Sequence, residues 1–112
     1  MRTEVCRLLS TISKIRQQST SSQLITEPTT VLIKKPSMPS VNSAICGWQY
    51  WEVLCYVPSN DVLKLDDLVD KVTKLLLTNG YEVTNSNTQE YYDDALKAFM
   101  ISVEFRTIKL LF

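Results

Sequence analysis

The stretch "CGWQYWEVLCYV", residues 46–57, constrains this chain more than any other. Its aromatic and β-branched residues favour an extended, pleated backbone. Side chains alternate across a strand, so Trp51, Val53, Cys55 and Val57 share one face, while Trp48, Tyr50, Leu54 and Tyr56 share the other with Glu52. Both faces are largely apolar. A strand with one wet face alternates more cleanly, so the second face calls for cover by a helix or by another subunit.

Two segments have helical periodicity. Residues 1–18 place Val5, Leu8, Leu9, Ile12 and Ile15 at three- and four-residue spacing, which predicts an amphipathic helix ended by the polar tract "QQSTSSQ". The clearer case is "LKLDDLVDKVTKLLLTNG", where Leu65, Leu68, Val69, Val72, Leu75 and Leu76 form one stripe. Asp67–Lys71 and Asp70–Lys74 stand four apart on its wet side, acid first as the helix dipole prefers. Asn79–Gly80 marks its end, since glycine takes the left-handed conformation without steric cost.

The other segments read as strands and loops. "TTVLIKK" is a short strand, stopped by "PSMPSVNS", where Pro36 and Pro39 oppose both helix and central strand and predict a mobile loop. "YEV" opens a short strand, residues 84–89 a loop, and residues 97–108 a long strand. Phe99, Ile101, Val103 and Phe105 lie on one face of that strand, with Ser102, Glu104 and Arg106 on the other. The expected fold class is α+β: an antiparallel sheet of about four strands with two helices packed on one face, in the order α-β-β-α-β-β. At 112 residues this is one domain.

Composition removes several functions. Twelve basic and twelve acidic residues cancel and the pI is near 6.2, without the clustered positive charge that nucleic acid or an anionic membrane attracts. Histidine is absent, and with it the commonest general base and metal ligand. Cys6, Cys46 and Cys55 show no CxxC spacing, which opposes zinc or a disulfide framework and suits free thiols in a reducing cytosol. Gly47 and Gly80 are the only glycines, too few for a phosphate-cradling loop. The N-terminal residues mix polar with apolar and predict no signal peptide, and no apolar run approaches the ~20 residues that span a bilayer.

The densest group of acids is "EYYDD", residues 90–94. Glu90, Asp93 and Asp94 lack both the DxDxDG spacing and the turn glycine of a hard-cation site, and read as solvated acids of a loop before the closing strand. Tyr91 and Tyr92 fit a core edge and a protein interface equally well. Cys55 has no neighbour to lower its pKa and is no nucleophile. Lys34 and Lys35 read as a solvated strand end. No enzyme, metal or cofactor is expected.

The run "GWQYWEVLCYVPSNDVLKLDDLVDKVTKLLLTNGYEV…EYYDDALKAFMISVEFR", over residues 47–106, resembles the tail terminator (tail completion) proteins of long-tailed bacteriophages. The likeness lies in a strand with an aromatic–VxxYVP turn, the "LDDLVDKV" helix, the "GYEV" turn, the acidic-aromatic loop and the closing "MISVEFR" strand. It implies a structural virion protein, made in the host cytoplasm and placed at the tail or neck. There a likeness of this kind implies a hexameric ring on the head-proximal end of the tail tube, ending tube polymerisation and meeting the head connector. The implied partners are further copies of this chain, the tail tube protein and the connector protein, with no sequence-specific nucleic acid and no membrane. Candidate interface residues are Met38 in the 36–45 loop, for the tube or connector, and Trp48, Tyr50, Tyr56, Tyr91 and Tyr92 for subunit contacts. Alternatives are another head–tail joining (neck) protein and a small ferredoxin-like adaptor acting as monomer or dimer.

Overall fold

The computed structural model describes residues 2–16, 24–35, 38–39, 46–84 and 89–110. In chain order these form α1 (Arg2–Leu9), β1 (Lys14–Ile15), β2 (Thr29–Lys34), β3 (Met38–Pro39), β4 (Cys46–Pro58), a 3-10 segment (Ser59–Lys64), α2 (Leu65–Thr78), β5 (Glu82–Val83), β6 (Tyr91–Asp93) and β7 (Ala98–Leu110). The fold is α+β. One mixed sheet runs β1-β2-β4-β7-β5, with β3 added to β4 and β6 added to β7. It exceeds the expected four strands by β1, β3 and β6, pieces of two or three residues. All its pairs are antiparallel except β1 on β2, where Lys14 lies opposite Thr29.

β4 and β7 are the spine, thirteen residues each and paired throughout from Cys46↔Leu110 to Pro58↔Ala98. Their alternation works as expected from the sequence. Trp51, Val53, Cys55, Val57, Val103 and Phe105 are buried on one face beneath Val5 and Leu9 of α1 and Leu65, Leu68, Val72 and Leu76 of α2. Phe99 and Ile101 pack at the margin of the same cluster. Both helices therefore cover one face of the sheet.

α2 ends as its sequence predicts. Gly80 takes φ +85°, Tyr81 N–H donates to the Leu76 carbonyl and Gly80 N–H to that of Leu77, which satisfies two open carbonyls of the last turn. Tyr81 then packs beside Leu76 in the core. The ion pairs Asp67–Lys71 (3.1 Å) and Asp70–Lys74 (2.9 Å) line the outer side.

Two expectations change. The first helix stops at Leu9 rather than near residue 18, because a run of hydroxyl residues takes over its last carbonyls. Ser10 Oγ donates to the Arg7 carbonyl (2.6 Å), Thr11 Oγ1 to Leu8 (2.7 Å) and Ser13 Oγ to Leu9 (3.4 Å). Ile12 and Ile15 still reach the core, but from a turn and from β1. "QQSTSSQ" lies outside the described residues. The second change is "EYYDD", expected as a loop: Tyr91–Asp93 is instead an edge strand opposite Ala98–Met100. Its turn is built by the acids themselves, since Asp93 Oδ1 accepts the Leu96 N–H (3.1 Å) and Asp94 pairs with Lys97 (3.0 Å), which sits at φ +53°.

The expected mobile loop "PSMPSVNS" lies outside the described residues except for Met38 and Pro39, whose backbones pair with Trp48 and Gly47. Proline is admitted there because this short strand lies at the sheet's margin. Just before it, the buried Gln49 amide donates to the Lys35 carbonyl and to the Tyr50 carbonyl (3.0 Å). Gln49→Leu fills the same space but takes the Gln49 donor from the Lys35 carbonyl, while the Tyr50 carbonyl keeps the Lys35 N–H. It is expected to cost about 1–3 kcal/mol in chemical denaturation, and a loss below a few tenths would assign the join to other groups.

Candidate interaction surface

The sheet's second face divides into two zones. Toward the Pro58–Ala98 end it is apolar: Val31, Tyr56 and Ala98 are buried with Ile25 and Leu96, and Ile33, Leu54 and Met100 pack at the edge. Ile25 and Leu96 come from irregular segments, held together by Ile25 N–H donating to the Leu96 carbonyl (3.0 Å). The cover that the doubly apolar strand called for is thus partly intramolecular.

Across the middle runs a charged belt. Glu52 and Glu104 are directly opposed on β4 and β7. Lys35 Nζ reaches Glu104 at 2.7 Å and Glu52 at 3.6 Å, so one cation serves both carboxylates. Thr84 Oγ1 donates to the other oxygen of Glu104 at 2.9 Å, and the Thr84 N–H donates to the Glu104 carbonyl. The Glu104 side chain is only 13% exposed. Burial alone would raise its pKa, but the hydrogen bonds from Lys35 and Thr84 outweigh that and hold it below the ordinary glutamate range. Lys35 is correspondingly raised by its hydrogen bond to Glu104.

One row further along the strands, Arg106 binds Glu82 and donates to the Tyr50 hydroxyl (3.4 Å), and its guanidinium lies 3.9 Å from the centroid of the Trp48 ring. This is a cation–π stack with a paired carboxylate, a geometry that only arginine's planar fork supplies. Its pKa is raised by the hydrogen bond to Glu82 and then by that to Tyr50.

The candidate interface residues therefore separate. Trp48 and Tyr50 are half-buried and joined through Arg106. Tyr56 shares their face but is 8% exposed beneath Ile25 and Leu96, so its ring is spent within the chain. Burial also raises its hydroxyl pKa, with the nearby Asp93 carboxylate adding to the effect. Tyr91 and Tyr92 remain 56% and 40% exposed, and the Tyr92 ring meets Phe99 at 4.9 Å. They pair with Met100 and Phe99, whereas Tyr50 pairs with Arg106. At ~3.3 Å per residue the two groups stand roughly 20 Å apart. For Met38 the structure gives the backbone pairing alone.

Lys34 and Lys35 part company as well. Lys34 lies 5.9 Å over the Trp51 ring, while Lys35 turns into the belt. Cys55, in the core, has its thiol pushed up to about 12 by burial. Among the described residues no three or more Cys, Asp or Glu side chains are grouped to hold a metal ion, and no helix is long and apolar enough to cross a membrane. No protein-family model matches the chain, and no curated protein matches it.

Proposed function

We propose that this chain is a structural subunit acting through protein–protein contact: a phage tail terminator that forms a ring on the head-proximal end of the tail tube, ends its polymerisation and joins the tail to the head connector. The reading rests on the likeness of residues 47–106. The observation that carries its contact side is the tyrosine edge, where Tyr91 and Tyr92 lie exposed on a short strand at the sheet margin. Amphipathic rings held at a rigid edge make large contacts at small entropic cost. Trp48 and Tyr50, fixed by Arg106, offer a second rigid surface roughly 20 Å away along the strands. A closed ring joins one surface of each subunit to a different surface of the next, and two separated aromatic sites meet that need. The action is steric and requires no chemistry at the site.

Electron microscopy of the purified protein, alone and mixed with its tail tube, tests the reading. Six-membered rings, or caps that stop tube growth, are the expected result. A chain that stays monomeric at high concentration and leaves the tube growing would overturn it.

A further inference from the structure

Leu63 is 93% exposed, the most solvent-facing large apolar residue among those described, yet it sits on an ordered 3-10 segment between β4 and α2. Its neighbour Lys64 lines a hollow of about 280 Å³, whose apolar lining comes from Ile12, Pro28 and Leu68, with Asp67 and Lys71 beside them. That volume falls below the range that holds a drug-sized ligand and suits a protruding aliphatic side chain. A knob and an apolar hollow thus adjoin at one corner of the molecule.

The charges around them have both signs in alternation: Asp61 lies 4.0 Å from Lys64, and Asp67 lies 3.1 Å from Lys71. Two acids and two lysines leave this rim without net charge, so a second copy meets no like-charge excess there, whereas a strongly acidic or basic partner would meet like charge on half of the rim. We propose that Leu63 of one copy seats in the Ile12–Pro28–Leu68 hollow of a second copy, and reciprocally, so that two chains pair corner to corner. This contact goes beyond the ring reading, uses none of its aromatic sites and does not depend on it.

Sedimentation velocity of the full chain, from micromolar concentration to about 1 mM, tests it with Leu63→Asp and Leu63→Met. The wild type and Leu63→Met are expected to show a concentration-dependent rise in mass, and Leu63→Asp to weaken association at least about tenfold. Because Leu63 is so exposed, all three should melt together, which separates lost pairing from lost folding. Wild-type protein that stays monomeric over the whole range overturns the proposal, as does Leu63→Asp associating as well as wild type. Pairs that vanish in Leu63→Asp while rings persist support this contact and leave the ring reading standing. Pairs that vanish in Leu63→Asp, with no ring in the wild type, support the contact and count against the ring.

Discussion

Phe105→Ala is expected to remove about 3–5 kcal/mol of folding stability, read as a lower urea midpoint at unchanged slope. Phe105 is fully buried at the point where the sheet's spine meets the end of α2. Its ring stacks on Trp51 at 6.4 Å between centroids and takes Tyr81 edge-on at 5.5 Å, so truncation strips contacts from two large neighbours at once. Neither neighbour is free to collapse into the gap. Trp51 belongs to the paired centre of β4, and Tyr81 follows the helix cap, its hydroxyl raised to about 12 by burial and then by its hydrogen bond to Glu4. Phe105→Leu keeps much of the volume and is expected to cost less. If alanine cost under about 1 kcal/mol, the aromatic trio would not be the keystone proposed.

Lys35→Met should produce a smaller loss with a distinctive pH profile. At neutral pH it leaves Glu104 and Glu52 face to face across β4 and β7 without their shared cation. Because the lysine is itself partly exposed, we expect about 1–2 kcal/mol rather than the larger cost of a fully buried pair. The folded-state pKa of Glu104 lies below its ordinary value, so its contribution is complete above the ordinary glutamate range. It is lost as the pH falls through that range toward the lowered value. In the variant Glu104 loses the cation that holds its pKa down and takes up a proton more readily. The gap in stability between the two proteins should therefore be widest near neutrality and narrow below about pH 4. A gap that is constant with pH would mean that the methylenes of Lys35, not its charge, carry the effect.

The elements legible in the sequence were those whose signal is local and repeated. α2 carried its stripe, its i,i+4 pairs and its terminal glycine within one window. The face assignments of β4 and β7 followed from strict alternation, which a single backbone conformation enforces. The end of α1 was hidden because Ile12 and Ile15 continue the helical spacing of Val5 and Leu9 while reaching the core by another route. The decisive signal was the hydroxyl run at Ser10, Thr11 and Ser13, which competes for the helix carbonyls. In "EYYDD" the acids drew attention as possible ligands, but their work is to shape a turn, and only the Leu96 N–H reveals it.

The charged belt was out of reach for a different reason. Glu104 and Arg106 could be placed on the second face, but Lys35 lies 69 residues from Glu104. Only the register of β2 against β4 brings it there. Tyr56 shows the reverse failure. Alternation put it correctly on the second face, yet its cover comes from Ile25 and Leu96, single apolar residues in irregular segments with no period to announce them.

The pairing of β4 with β7 also sets an order of events during synthesis. β4 leaves the ribosome with two apolar faces and one long side that only β7 will occupy, and α2, β5 and β6 must all be made first. Over that interval β4 can pair with β2 but its other edge stays open, the kind of surface that chaperones capture and neighbouring chains join. The spine closes only once residues beyond Ala98 emerge, so translation speed through the second half of the chain governs how long the hazard lasts. A ribosome that stalls before Ala98 therefore leaves a fragment whose β4 edge stays open, and the last strand of a complete neighbouring chain has the means to fill it.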